Sequence, residues 1–363
     1  MRTISRDDGF TLTELLVSST ITLLVLGGAM TTVKNALTLN DTGTQLADSN
    51  QNLRAGTNLL IKDLMQAGRQ MPSGISIPSG DNKQDINRPS PPGLAYTFDN
   101  TNSAVLPAIV TGYGLGPVVD NSSTDMITLT MIDSEDCQKV GIGAIADSGL
   151  SATLASTSPW LTGVPTDPAC SKASATRAGD LIWFSGGNGA IRTVTSVGSG
   201  TISFAENNTN DWFNFNQSAA AHGTLIQLSD PSKPAGQKFP AMTLFRVIML
   251  TYYVDATTTP GTPRLMRMQN HFGPQALAGV VEDLDITYDL VDGSVNPVKI
   301  PSLPYTLNGD TYTSNQIRKV NLHVGVRSDL TSAVRRNDYI RNHINTSVNI
   351  RELSSVSVYF KTS

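Results

Sequence analysis

The sequence predicts an α+β protein in which one long N-terminal helix is followed by an antiparallel β-sheet domain. Three observations carry this prediction: a 21-residue apolar run at 10–30, apolar residues at helical spacing over 31–71, and period-two alternation in the C-terminal third. The chain has 363 residues, 39% hydrophobic and 15% charged, with a net charge of -4. This composition argues against a disordered chain and against a globally basic nucleic-acid-binding protein.

The apolar run at residues 10–30 is long enough to cross a bilayer as a helix. Twenty-one helical residues rise about 31 Å, close to the hydrocarbon thickness of a membrane. Arg2 and Arg6 precede the run and favour a cytoplasmic N-terminus, which places the rest of the chain outside the cytoplasm. The only charge within it is Glu14, where an unpaired carboxylate costs roughly 2–4 kcal/mol. Neither a cleavable signal peptide nor a plain anchor accounts for that charge.

Residues 9–14, Gly-Phe-Thr-Leu-Thr-Glu, resemble the class III signal of type IV prepilins and pseudopilins, although Asp8 stands where that family usually has Lys or Arg. The resemblance implies that residues 1–9 are a leader, that prepilin peptidase cleaves between Gly9 and Phe10, and that the new amine of Phe10 is methylated. It also implies that Glu14 neutralises the N-terminal amine of a neighbouring subunit in a helical fibre. Two opposite buried charges are tolerated together.

Residues 31–71 are predicted to continue the helix with one apolar face and to end at Gly68 and Pro72, so that the whole helix covers 10–71. The apolar positions are Leu39, Leu46, Leu53 and Leu60, with Ala36, Gly43, Leu64 and Met65 beside them. Docking on a sheet is the commoner outcome for such a helix, and a coiled coil is the alternative. Gly43 and Gly56 weaken it by roughly 1 kcal/mol each relative to Ala, which allows a kink.

Residues 72–240 are expected to form a variable surface region with a β-rich lobe, and residues 241–363 a C-terminal antiparallel β region. Residues 72–120 are rich in Pro, Gly, Ser and Asn, which is typical of a surface excursion. Period-two patterns predict strands at 125–132, 179–185, 191–197, 201–205, 224–228, 244–254, 284–290, 320–326 and 356–360. The segments 198–200 and 292–293 are predicted turns.

Several later segments are similar to the PilW-type minor pilins and to their relatives in type II secretion, the J-type minor pseudopilins. These segments are 53–56, 62–68, 179–182, 252–255, 263–265 and 320–327. The resemblance implies a pilin-like fold and a minor pilin that helps to initiate, and caps, a type IV pilus of the kind used in twitching motility. The implied partners are other minor pilins, the major pilin, prepilin peptidase and the inner-membrane assembly platform.

The same resemblance implies a single-pass inner-membrane protein with a periplasmic C-terminal domain that later reaches the pilus at the cell surface. A J-type minor pseudopilin shares this whole argument, although the present chain is long for one. A membrane-anchored surface adhesin is a further alternative, with its binding region within residues 72–175.

Neither a cofactor site nor a metal site is predicted. The four histidines lack metal-ligand spacing: His222, His271, His323 and His343. Four aspartates do not follow the twelve-residue calcium loop: Asp283, Asp285, Asp289 and Asp292. The sequence also has no nucleophile-elbow motif and no phosphate-binding loop, so an enzyme is not expected.

Two further features concern the part of the chain predicted to lie outside the cytoplasm. Cys137 and Cys170 are predicted to form a disulfide, worth roughly 3–4 kcal/mol in the chain-entropy model, with two free buried thiols as the alternative. Trp212, Phe213 and Phe215 lie among polar neighbours and form either a contact loop or part of the core.

The C-terminal segment, residues 318–363, carries eight basic and three acidic residues, a net charge of +5. This excess fits a solvated face or a surface that meets an acidic neighbouring pilin. Nucleic-acid binding is not expected.

Overall fold

The computed structural model describes residues 10–71, 75–76, 85–98, 105–133, 140–164, 175–186, 189–216, 225–332 and 338–354. The chain divides into two units: Met1–Gln51 with Arg327–Asn342, and Asn52–Val326 with His343–Ser363. The first element is helix α1 (Leu12–Leu64), 53 residues long. The predicted α+β class, a long N-terminal helix followed by antiparallel sheet, is confirmed.

The strands after α1 are at first short. In chain order they are β1 (Ile75–Ser76), β2 (Ile86–Asn87), β3 (Thr97–Phe98), β4 (Val105–Leu106), β5 (Ile109–Val110), β6 (Val118–Val119), β7 (Ser122–Ser123), β8 (Ile127–Ile132), β9 (Val140–Gly141), β10 (Ala144–Ile145) and β11 (Ser151–Thr153). After helix α2 (Pro159–Thr162) follow β12 (Leu181–Ser185), β13 (Ala190–Thr193), β14 (Ser196–Val197) and β15 (Thr201–Ser203).

The C-terminal part contains the long strands. They are β16 (Thr243–Asp255), β17 (Arg264–Gln269), β18 (Gln275–Ala278), β19 (Val281–Leu290), β20 (Tyr305–Leu307), β21 (Asp310–Tyr312), β22 (Ile317–Ser332) and β23 (Asp338–Asn349). The 3-10 turns are Leu225–Leu228 and Ser314–Gln316, and helix α3 is Arg351–Ser354.

Strand β16 is the central strand of an eight-stranded antiparallel sheet. It pairs with β8, β9, β12 and β17, and most of its side chains are buried on both faces, as its continuous apolar sequence predicts. Because β5, β8, β12 and β13 come from residues 72–240, the region expected to lie on the surface contributes strands to the same sheet as β16.

Strands β19, β22 and β23 form a second, three-stranded sheet. Its β19–β22 pairing is antiparallel, and the alternating apolar residues of both strands point into the core, as predicted. Asp125 fixes the start of β8 to this sheet, because its carboxylate accepts hydrogen bonds from the backbone N–H of Ile286 and of Gly114, both at 2.7 Å. Burial raises the pKa of this Asp125 carboxyl.

The end of α1 packs on both sheets of the second unit. The main apolar cluster contains Leu53, Leu60, Leu64 and Ala67 from the helix and its C-terminal turn, together with Leu129, Leu250, Tyr252, Val254, Leu284, Ile286, Val348 and Leu353. The buried positions of α1 follow the 3.6-residue period of a helix, so its last turns dock on the sheets as predicted.

Five residues of the predicted apolar face are exposed and do not belong to this cluster: Ala36, Leu39, Gly43, Leu46 and Met65. Leu39 and Leu46 are 63% and 42% exposed. Seven residues fall about 20° short of two full helical turns, so a strict seven-residue repeat drifts around the helix. Leu46 and Leu39, two and three repeats before Leu60, therefore no longer lie on the buried face of the helix.

The helix ends at Leu64, before the predicted end at residue 71. Gly68 adopts a positive φ of 76° in the turn that follows. Its N–H donates to the carbonyl oxygen of Thr130 at 2.8 Å. This bond to β8 replaces the helical hydrogen bond and redirects the chain.

The strand predicted at residues 224–228 is wrong for 225–228, which form a 3-10 turn. In a 3-10 helix residues i and i+3 lie on the same side. This places Leu225 and Leu228 together against the apolar cluster that contains Trp160 and Phe184. The strand predicted at 356–360 lies outside the described residues.

Within the first unit, the paired ends of β22 and β23 meet the helix segment through Asn342, whose side-chain N–H donates to the side-chain oxygen Oδ1 of Asn50. The guanidinium groups of Arg327 and Arg341 lie 3.8 and 5.9 Å from the ring centroid of Tyr339. These contacts are polar and cationic, in contrast to the apolar core of the second unit.

Candidate functional site

The N-terminus of α1 is built as a capping box. Thr11 is the N-cap: its Oγ1 accepts a hydrogen bond from the Glu14 N–H at 3.3 Å. In return the Glu14 carboxylate accepts from the Thr11 N–H at 3.0 Å and from the Thr11 hydroxyl at 2.8 Å. Thr-x-x-Glu is the sequence signature of this motif. The Glu14 carboxylate therefore lies at the positive end of the helix, bonded to Thr11, the residue next to Phe10.

The following part of α1 exposes its apolar side chains. Phe10 is 81% exposed, and the helix is the one element among the described residues that is long and apolar enough to cross a membrane. Its hydroxyl side chains bond back to helix carbonyls: Ser18, Ser19, Thr20, Thr22, Thr31 and Thr32. These bonds satisfy polar groups that a hydrocarbon environment would otherwise leave unpaired. The segment is thus compatible with membrane anchoring.

At the other end of α1 a buried polar triad joins the helix to β16 and β17. The Asp63 carboxylate accepts hydrogen bonds from the Tyr252 hydroxyl at 2.5 Å and from Arg267 Nε at 2.8 Å. Burial and the neighbouring carboxylate raise the pKa of Tyr252 well above its usual range. Sequence reasoning missed this triad, since Asp63 is 189 residues from Tyr252 and 204 residues from Arg267.

The predicted contact loop divides into core and surface residues. Phe213 and Phe215 are 2% and 0% exposed and pack against strands of the large sheet, so they are core residues rather than contact residues. Trp212 is 56% exposed. Two inward-facing aromatics anchor the loop, and Trp212 remains its exposed aromatic side chain.

The carboxylate of Asp211 holds this loop in place through hydrogen bonds. Asp211 accepts hydrogen bonds from Thr193 Oγ1 at 2.5 Å, from the Asn216 N–H at 2.7 Å and from the Phe215 N–H at 3.2 Å. Burial raises the pKa of Asp211 and lowers that of the neighbouring Arg192 to about 10. Arg192 in turn donates to the Phe215 carbonyl oxygen at 2.9 Å.

Two histidines that are distant in sequence lie side by side on the outer face of the second sheet. The ring centroids of His323 and His343 are 5.5 Å apart. Asp283 lies 3.3 Å from His323 Nε2, and Asn345 Oδ1 lies 2.6 Å from its Nδ1. Because β22 and β23 are neighbouring strands of one sheet, these two residues lie close together although they are 20 positions apart in the sequence.

Two of the four aspartates considered for calcium are engaged in a turn and in a cross-strand bond. Asp292 accepts from the N–H groups of Ser294 and Val295, and Asp289 accepts from Asn321. Within the described ranges, His, Cys, Asp and Glu side chains form no group of three or more that would hold a metal ion.

Three other predicted site residues fall outside the described part of the chain: Gly9, Cys137 and Cys170. Cleavage at Gly9 and a disulfide between Cys137 and Cys170 therefore stay predictions.

Comparison with known families gives one match. Residues 4–30 match the prokaryotic N-terminal methylation motif. No curated protein sequence matches the chain, and no solved structure matches it. The motif and the apolar helix that carries it, followed by antiparallel sheet, support a type IV pilin-like protein, which is a structural class.

Proposed function

We propose that this type IV pilin-like protein is a minor pilin of the PilW type, which helps to initiate assembly of a type IV pilus and caps the fibre. The observation that carries the proposal is the methylation motif at residues 4–30, placed directly on an exposed apolar helix. A helix of this kind needs an apolar environment, which a bilayer supplies before assembly and other pilin helices supply in a fibre.

Cleavage between Gly9 and Phe10 leaves a new amino group on Phe10, at the N-terminus of the helix. The new Phe10 amine adjoins Thr11, whose N–H is already bonded to the Glu14 carboxylate. Glu14 is therefore prepositioned beside an N-terminal amine. In the fibre it exchanges the capping interaction for the amine of an adjacent subunit, since an unpaired charge in an apolar core is unfavourable.

The β-sheet part supplies the lateral contacts to neighbouring pilins. The helix holds the subunit in the apolar core of the fibre. The sheets and loops lie outside that core and are therefore the part that can contact neighbouring pilins. The basic excess of residues 318–363 suits a neighbour with an acidic surface.

The test is mass spectrometry of surface fibres sheared from the native host. We expect a peptide that begins at methylated Phe10, and a Gly9→Val variant is expected to keep its leader and to be missing from the fibres. The methylated terminus in membranes alone would contradict the pilus and favour a secretion pseudopilin. A wild-type chain that retains residues 1–9 would overturn the proposal and favour a membrane-anchored adhesin.

A further inference from the structure

Trp212 is the outermost member of a series of side chains in ring contact. Its indole ring lies 6.0 Å from the His271 ring, with only 13° between the planes. The His271 ring contacts that of Phe272 at 4.4 Å, and the Arg177 guanidinium lies 4.5 Å from the Phe272 centroid. One indole face is thus covered, while more than half of the Trp212 side chain is exposed.

Three sets of contacts fix the backbone at Trp212. The Trp212 carbonyl oxygen accepts a hydrogen bond from the Asn87 side-chain amide at 2.9 Å. The next residue, Phe213, is buried, and the preceding one, Asp211, makes the three bonds described above. An aromatic surface held in this way loses little conformational entropy when a ligand binds.

The supporting ring is also fixed. His271 packs directly on Gly179, which has a φ of +90°, and a Cβ at residue 179 would overlap the imidazole ring. The preceding residue Asn270 is tied to β16 through the Met249 N–H, which donates to its side-chain oxygen at 2.8 Å. Glycine at 179 therefore makes room for the stack.

The loop that presents Trp212 has a mostly uncharged polar surface. Its two carboxylates are half-buried: Asp211 is bonded to the loop backbone, and the Oε1 atom of Glu206 is buried. The other polar residues of the loop near Trp212 in the sequence are amides and one hydroxyl, all partly or fully exposed: Asn207, Asn208, Thr209, Asn210 and Asn214. Amides can donate and accept hydrogen bonds, and they match hydroxyl groups.

We propose that this Trp212 platform binds a neutral saccharide. The apolar face of a pyranose ring stacks on the open indole face, and the surrounding asparagine amides bond its hydroxyls. A charged partner would call for exposed opposite charges on the loop, and an amphipathic helix would call for a continuous apolar groove. A flat indole ring in a loop rich in asparagine amides is complementary to a sugar, which has an apolar ring face and several hydroxyl groups.

The experiment uses the full chain in a detergent without a sugar headgroup, because a maltoside would itself be a neutral saccharide. Binding is followed by isothermal titration calorimetry with uncharged oligosaccharides built from glucose, galactose or N-acetylglucosamine, because the heat of binding can be measured in variants that lack Trp212. We expect saturable binding by at least one of these, weakened about tenfold or more in Trp212→Ala and largely retained in Trp212→Phe.

The matched control is Tyr113→Ala, which removes another exposed aromatic side chain, 63% exposed, from the same unit. It is expected to bind like the wild type. Equal loss in both variants, or binding of sulfated or sialylated glycans alone, would overturn the proposal, as would no response to any neutral saccharide. The binding assay does not depend on leader cleavage, so its result is separate from that of the fibre experiment.

Discussion

The Glu14 carboxylate is hydrogen-bonded to Thr11 in the isolated chain, and it can therefore have two distinct roles. As a helix cap it needs only an acceptor oxygen for the Thr11 N–H and hydroxyl. As the partner of a neighbouring amine it needs a negative charge. The two roles respond differently to replacement by glutamine.

We expect Glu14→Gln and Glu14→Ala to be equally defective in fibre incorporation, although Gln still caps the helix. Loss of the charge leaves an amine unpaired in an apolar core, at a cost of about 3 kcal/mol, which corresponds to roughly a hundredfold. The amount of each variant in sheared fibres, relative to its amount in membranes, measures this. Normal incorporation of Glu14→Gln would show that Glu14 acts only as a cap.

Asp63 is the second residue whose charge has a defined partner. We expect Asp63→Ala to lower the free energy of unfolding by about 3 kcal/mol, because it leaves the partly buried Arg267 and the Tyr252 hydroxyl without their acceptor. Thermal unfolding of the full chain in detergent, followed by near-ultraviolet circular dichroism, measures the loss. Lys62→Ala, a change at the exposed neighbouring position, should be within about 0.5 kcal/mol of the wild type.

At the scale of elements, the contact between α1 and β18 depends on a helix residue without a side chain. A Cβ at Gly56 would lie 2.9 Å from the Ala278 Cβ and 3.2 Å from Leu265 Cδ2. At Gly43 on the same helix a Cβ would meet nothing within 4 Å. From the sequence, both glycines are expected only to weaken the helix. In the structure, Gly56 also permits close packing against β18.

The same substitution at the two glycines is therefore expected to have opposite effects. Gly56→Ala should destabilise the fold by about 1 kcal/mol, because the overlap with Ala278 outweighs the gain in helix propensity. Gly43→Ala should raise the helix content and leave the unfolding midpoint unchanged or higher. Circular dichroism and thermal unfolding of both variants decide this, and a stabilised Gly56→Ala would show that the packing can relax.

Periodicity predicted the elements better than it predicted their partners. The alternation at 284–290 and 320–326 reveals which face of each strand is buried, and this holds in β19 and β22. It cannot reveal that β8 pairs with β16, because that contact depends on chain segments distant in sequence. Among the predicted site residues, those of the N-terminal motif could be recognised from the sequence because they are consecutive in the chain.

At the scale of the whole molecule, the charge distribution along the chain predicts its orientation in a membrane. Arg2 and Arg6 precede the apolar segment, so the part after the segment is expected outside the cytoplasm. Protease added to spheroplasts should therefore degrade the β-sheet part, and inverted membrane vesicles should protect it. Protection in spheroplasts with degradation in inverted vesicles would contradict this orientation.

The pairing of β8 with β16 has a consequence for the order of folding. Thr128 and Thr251 share a hydrogen bond of 2.8 Å although 123 residues separate them, and Leu353 lies in the same apolar cluster as Leu60. Closing such long loops is slow, and the sheet edges stay unpaired until the last segments arrive. A chain anchored by its N-terminal helix would thus cross the membrane almost completely before its core can form. We expect the nascent protein to depend on chaperones that cover strand edges during this interval.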